Sequence, residues 1–133
     1  MSLERFVRAQ EGVYEQALAE LRAGAKRSHW MWFVFPQIAG LGRSDTARFY
    51  AVADLDEARA YLAHPVLGPR LAQATEAVIA APGSAAAILG MVDAAKLRSS
   101  MTLFEAADDP APFRAALDRF FGGGRDPETL GRL

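Results

Sequence analysis

The sequence contains no cysteine. That excludes a disulfide scaffold, a thiol nucleophile and any Cys-based zinc or iron–sulfur site, and it accords with a cytoplasmic setting. Histidine occurs twice, at His29 and His64. No H-E-x-x-H spacing accompanies them, so no metal site is expected. Lysine is equally scarce: Lys26 and Lys96 stand against thirteen arginines, an imbalance that reads mostly as coding bias. The formal net charge is −1, so no general attraction to nucleic acid or to an anionic membrane is expected. No apolar run approaches the roughly 18 residues of a membrane span. The opening MSLERFVRAQEGVYEQ is charged and amphipathic, without the apolar core of a signal peptide. Repeats, low-complexity segments and dividing linkers are absent, and no cofactor motif is visible.

What remains is an ordinary globular composition, 51% hydrophobic and 23% charged over 133 residues. Such a chain can bury roughly two-thirds of its unfolded surface and fold as a single helical domain over residues 1–133. Nearly every segment has helical rather than alternating period. Leu3, Phe6 and Val7, then Tyr14, Ala17, Leu18 and Leu21, follow the spacing of three to four that puts apolar groups on one helix face. Gly24 is a plausible stop. Ser28, Ser44, Asp54 and Ser84 stand where N-caps are expected, Asp93 opens another helix, and Asp126-Pro127 begins a last one. DDPAP is a break. The expectation is all-α: about eight mostly short helices in an irregular orthogonal arrangement, since a four-helix bundle needs longer ones.

The densest chemistry lies in KRSHWMWFVFPQ, residues 26–37, which holds both tryptophans and one histidine. Read as a short helix, it puts His29, Trp32 and Phe33 on one face and turns Met31 and Phe35 elsewhere. Such a segment is apolar nearly all round and so belongs near the core. Yet a buried tryptophan wants a partner for its indole N–H, and aromatic walls with polar tips also hold flat ligands. Core and pocket wall both remain open. GLGRS, with Gly42, Arg43 and Ser44, follows no strand, so it is not a dinucleotide fingerprint. Its glycines admit a ligand to the backbone, and Arg43 suits a phosphate. DAAKLRSSMTLF carries Lys96, Ser99 and Ser100 on one helical face. Its order is the reverse of S-x-x-K, so packing or ligand hydrogen bonding is the better reading than a serine nucleophile.

These motifs, with YL.HPVLG.RL and FF.GG.D..TL beside them, resemble one bacterial family: the domain-of-unknown-function family numbered eighteen-ten. The resemblance spans residues 3–133. It implies a compact, mainly helical domain and no particular activity. Members are often labelled calpastatin, which is a disordered, repetitive protease inhibitor. The globular composition and lack of repeats here argue against that role. A fainter similarity, in the order of short helices and a late lysine, is to the helical superfamily associated with NAD and ADP-ribose. It works at the level of fold analogy.

Two functional expectations follow. The first is a pocket protein for a nucleotide-like ligand such as an ADP-ribose derivative, binding it or acting on it as an N-glycosidase or hydrolase. Trp30 and Trp32 would offer ring faces, Gln37 a base or sugar contact, and Gly42 close approach. Arg43 and Lys96 would bring charge, Ser99 and Ser100 hydrogen bonds. His29 is the acid–base candidate, with Lys96 beside it as a catalytic candidate. The second is a non-enzymatic interaction domain in which the aromatic stretch is core. Burial of Trp30, Trp32 and His29, with no cavity beside them, would favour the second.

Overall fold

Capped, periodic segments become helices along the whole chain. The computed structural model describes residues 3–107 and 111–133. Among these residues the helices are α1 (Glu4–Gln10), α2 (Tyr14–Ala23), α3 (Met31–Val34), α4 (Asp45–Phe49), α5 (Leu55–Ala63), α6 (Leu67–Ala80), α7 (Ala85–Leu89), α8 (Met91–Ala107), α9 (Phe113–Phe121) and α10 (Pro127–Leu130). The architecture is all-α, as its periodicity predicts. The helices number a little over the expected eight; the short ones expected after Ser28 and at Asp126-Pro127 are present as the one-turn α3 and α10. The break expected at DDPAP falls mostly on residues 108–110, outside the described residues.

Local hydrogen bonding sets most helix starts. Ser44, Asp54, Ser84 and Asp126 each accept an N–H from the first turn, those of Ala47, Glu57, Ala87 and Thr129. His64 does the same before α6: its Nδ1 accepts from Val66 and Leu67. Ser28 departs from expectation. It caps nothing, because α3 starts three residues later and the Ser28 hydroxyl is drawn to Glu20 instead. Asp93 does not open α8 either. The helix begins at Met91, and the carboxylate turns sideways to the lysines.

α8 is the central element, packed against α5, α7, α9 and α10. Phe6, Trp30, Phe35, Tyr61, Phe104 and Phe113 form a buried aromatic core with it. α5 and α6 cross so closely that a Cβ on Gly68 would lie 2.1 Å from the Leu62 carbonyl oxygen. Buried Gln10 links α1 to the 26–37 segment, donating to the Phe33 carbonyl and the Tyr61 hydroxyl. Beyond α3, a single parallel bridge pairs Ile38 with Val52. Its hydrogen bonds, Val52 N–H to Gln37 and Ala39 N–H to Val52, hold the backbone on which Gln37 is displayed.

Candidate functional site

The 26–37 segment is built around a carboxylate in α2. Glu20 is buried and accepts hydrogen bonds from the Arg27 and Ser28 N–H groups (2.8 and 3.0 Å), the Ser28 hydroxyl (2.6 Å), the Trp30 indole (2.9 Å) and the Gln16 amide (2.8 Å). Burial acts to raise its pKa. The donors, led by Ser28 and Arg27, outweigh that and hold it well below the ordinary carboxylate value. Trp30 is thereby a structural residue. It is fully buried with its N–H satisfied by Glu20, and it lines neither concavity described below. The ring face expected of it is occupied in the core.

Both lysines of the chain converge on Asp93. Lys26 Nζ lies 2.9 Å from one carboxylate oxygen and Lys96 Nζ 3.4 Å from the other. Each ammonium also sits over a tryptophan ring, Lys26 over Trp30 at 5.2 Å and Lys96 over Trp32 at 4.9 Å. A compact ammonium can share one carboxylate with a second ammonium and face a ring at once. A planar guanidinium fork would need more room.

Lys96 also lines a polar concavity of about 300 Å³, together with Gln37, Leu41, Gly42, Val92, Ser99, Asp126 and Glu128. Four expected site residues, Gln37, Gly42, Lys96 and Ser99, meet here from three separate stretches. Ser99 Oγ stands 2.9 Å from Asp126 Oδ2, to which it donates. Asp126 also accepts from the Thr129 hydroxyl and N–H. Burial pushes its pKa up, but the hydrogen bonds from Thr129 and Ser99 prevail and keep the carboxyl below its ordinary value. Gly42 serves packing as well, since a Cβ there would come within 2.4 Å of the Ala47 Cβ.

His29 and Trp32 open on a different concavity, of about 550 Å³, lined also by Phe33, Asp45, Thr46, Phe49 and Tyr50. The shared face expected for His29, Trp32 and Phe33 exists, although His29 precedes the helix. The two concavities adjoin: residues 29–37 and 41–46 contribute to both, and Lys96 of the first lies on Trp32 of the second. Besides Trp30, two expected residues stand apart. Arg43 is exposed and lines neither. Ser100 is fully buried, its hydroxyl without a partner among the described residues. One residue of rotation along α8 carries it away from Ser99 and into the core.

The family described as "Protein of unknown function (DUF1810)" matches residues 1–133. The chain belongs to the DUF1810 family. A solved structure similar to it is that of the conserved hypothetical protein Rv1873 from Mycobacterium tuberculosis, with 51% sequence identity and a TM-score of 0.96, covering 98% of this chain and 95% of that one. No curated protein matches the chain. Within this DUF1810 chain, Glu20, Asp93 and Asp126 organise the site and were not singled out as site residues from sequence. Asp126 is legible as a cap. The others sit unremarkably among helical carboxylates, and no local pattern marks their partners.

Proposed function

We propose that this DUF1810 protein binds a small nucleotide-like ligand of the ADP-ribose class in the polar concavity. The observation that carries this reading is the convergence of Gln37, Gly42, Lys96 and Ser99 on one concave surface. Residues serving only local packing have no reason to meet there. The chemistry suits a sugar flanked by a ring. Gln37 can donate and accept, Asp126 accepts from hydroxyls, Lys96 supplies a positive charge, and Leu41 and Val92 offer apolar walls. Arg43, next to Gly42 on the exposed loop, supplies charge for a phosphate at the rim. The volume of about 300 Å³ is at the lower end of small-molecule sites, so it accommodates one nucleoside-sized half of such a ligand. Asp126 and the exposed Glu128 make one side of the concavity acidic, which favours sugar there and leaves phosphates outside.

The two acid–base candidates, His29 and Lys96, are not free to act on a ligand in this concavity. Lys96 is tied to Asp93 and His29 opens on the other concavity, so the activity proposed is binding. An interaction domain whose whole aromatic stretch is core would require Trp30, Trp32 and His29 all to be buried. Trp30 meets that condition, whereas Trp32 is half-buried and His29 exposed. Isothermal titration with ADP-ribose, NAD and AMP tests the reading. Saturable binding is expected, weakened about tenfold by Lys96→Ala, the loss of roughly one charged contact. Asp93 keeps Lys26 as partner in that variant. Absence of heat with all three ligands at millimolar concentration rejects the proposal.

A further inference from the structure

The aromatic concavity has a composition of its own. Its walls are Trp32, Phe33, Phe49 and Tyr50, and its charged group of fixed sign is the Asp45 carboxylate. Phe49 and Tyr50 meet edge to face, with centroids 4.8 Å apart and planes at 85°, and Tyr50 lies 5.3 Å from Phe33. The rings therefore form walls at steep angles rather than one flat stack. Phe49 remains 56% exposed, a large apolar ring left at the rim without cover. Asp45 has no ion pair or side-chain hydrogen bond among the described residues.

We propose that this concavity is a second binding site, for an organic cation carrying a methylated ammonium group. The electrostatics select that class. Aromatic faces carry the negative side of the ring quadrupole, and several faces with one carboxylate attract a cation and repel an anion. A methylated ammonium is weakly hydrated and apolar at its surface, so it loses little on leaving water for an aromatic wall. The protein itself supplies a precedent, because the Trp32 ring already holds the Lys96 ammonium at 4.9 Å. Lys96 shares the Asp93 carboxylate with Lys26, which leaves one net positive charge beside Trp32, and the Asp45 carboxylate in the concavity is the charge that an incoming cation would meet. The volume of about 550 Å³ falls inside the range of small-molecule sites. This site is independent of the polar concavity, and neither proposal requires the other.

The experiment is a titration of the full chain with choline chloride, balanced with sodium chloride at equal ionic strength, followed by heteronuclear NMR. The chain has two indole N–H signals, from Trp30 and Trp32. Saturable movement of the Trp32 signal is expected, with Trp30 unmoved because Glu20 holds it in the core. Phe49→Ala and Asp45→Asn, both at exposed positions, should each weaken binding about threefold to tenfold, the equivalent of one lost cation–π or charge contact. The neutral isostere of choline, with carbon in place of nitrogen, should bind markedly more weakly. A trimethyl-lysine peptide distinguishes the source: tighter binding than choline assigns a modified side chain, and equal or weaker binding a free small cation. The proposal is overturned if choline moves neither indole at tens of millimolar, if the isostere binds as well as choline, or if both variants bind unchanged.

Discussion

Glu20 shows how one side chain can organise a motif ten residues away. Its carboxylate gathers the donors of Arg27, Ser28 and Trp30, and so sets where α3 begins and which tryptophan faces the core. Replacing it with glutamine removes the charge and half of the acceptor capacity. Glu20→Gln should lower stability at neutral pH by on the order of 2–3 kcal/mol, as expected when charged hydrogen bonds are lost and buried donors left unpaired. The pH dependence follows from the direction of the shift. A carboxyl held below its ordinary value of 4.5 stabilises the fold fully above that value, and loses this contribution as pH falls through the folded pKa. Urea unfolding at neutral and acidic pH should therefore show a shallower acid loss in Glu20→Gln than in the natural chain. Some slope should remain, because Asp126 and Glu105 are also held below their ordinary values.

At the scale of elements, close helix crossings and caps carry the architecture. Gly68 sits in the first turn of α6 against the Leu62 carbonyl of α5. An alanine methyl cannot occupy 2.1 Å from an oxygen, so the helices must part. Gly68→Ala should cost about 3 kcal/mol by overpacking, although alanine is the better helix former. A drop in thermal midpoint would confirm the crossing, and an unchanged or raised midpoint would contradict it. Nothing local in HPVLGPRL marks that glycine, since the clash involves backbone of another helix. The caps are different. Ser44, Asp54, Ser84 and Asp126 were readable because a cap and its N–H lie three residues apart.

Across the molecule, arginine acts as a clamp on distant carbonyls, a use that the residue count does not reveal. Arg5 reaches Phe49 and Ala51, Arg98 reaches Gly124 and Arg125, and Arg119 reaches Ile79, Ala81 and Gly83. Each guanidinium satisfies carbonyls in a distant turn or at the end of an element, where backbone acceptors lack helical partners. Arg119→Lys, which keeps charge but loses the fork, should cost about 1–2 kcal/mol. Arg8→Lys, at an exposed pair with Glu4, should cost next to nothing. Denaturant midpoints of the two variants measure the contrast, and equal midpoints would refute the clamp.

Helical class, the caps at Ser44, Asp54, Ser84 and Asp126, and family membership were determined by the sequence itself. They depend on periodicity, on hydrogen bonds spanning three or four residues, and on contiguous motifs. Whether Trp30 or Trp32 is core was decided in three dimensions, by a carboxylate on another helix. The same holds for the pairing of Lys26 and Lys96 on Asp93 and of Ser99 with Asp126, which lies 27 residues on. The split of the expected site into a polar and an aromatic concavity also belongs to the tertiary structure. Residues equally suited to a ligand by chemistry were sorted by tertiary packing, Gln37, Gly42, Lys96 and Ser99 to one concavity and His29 and Trp32 to the other.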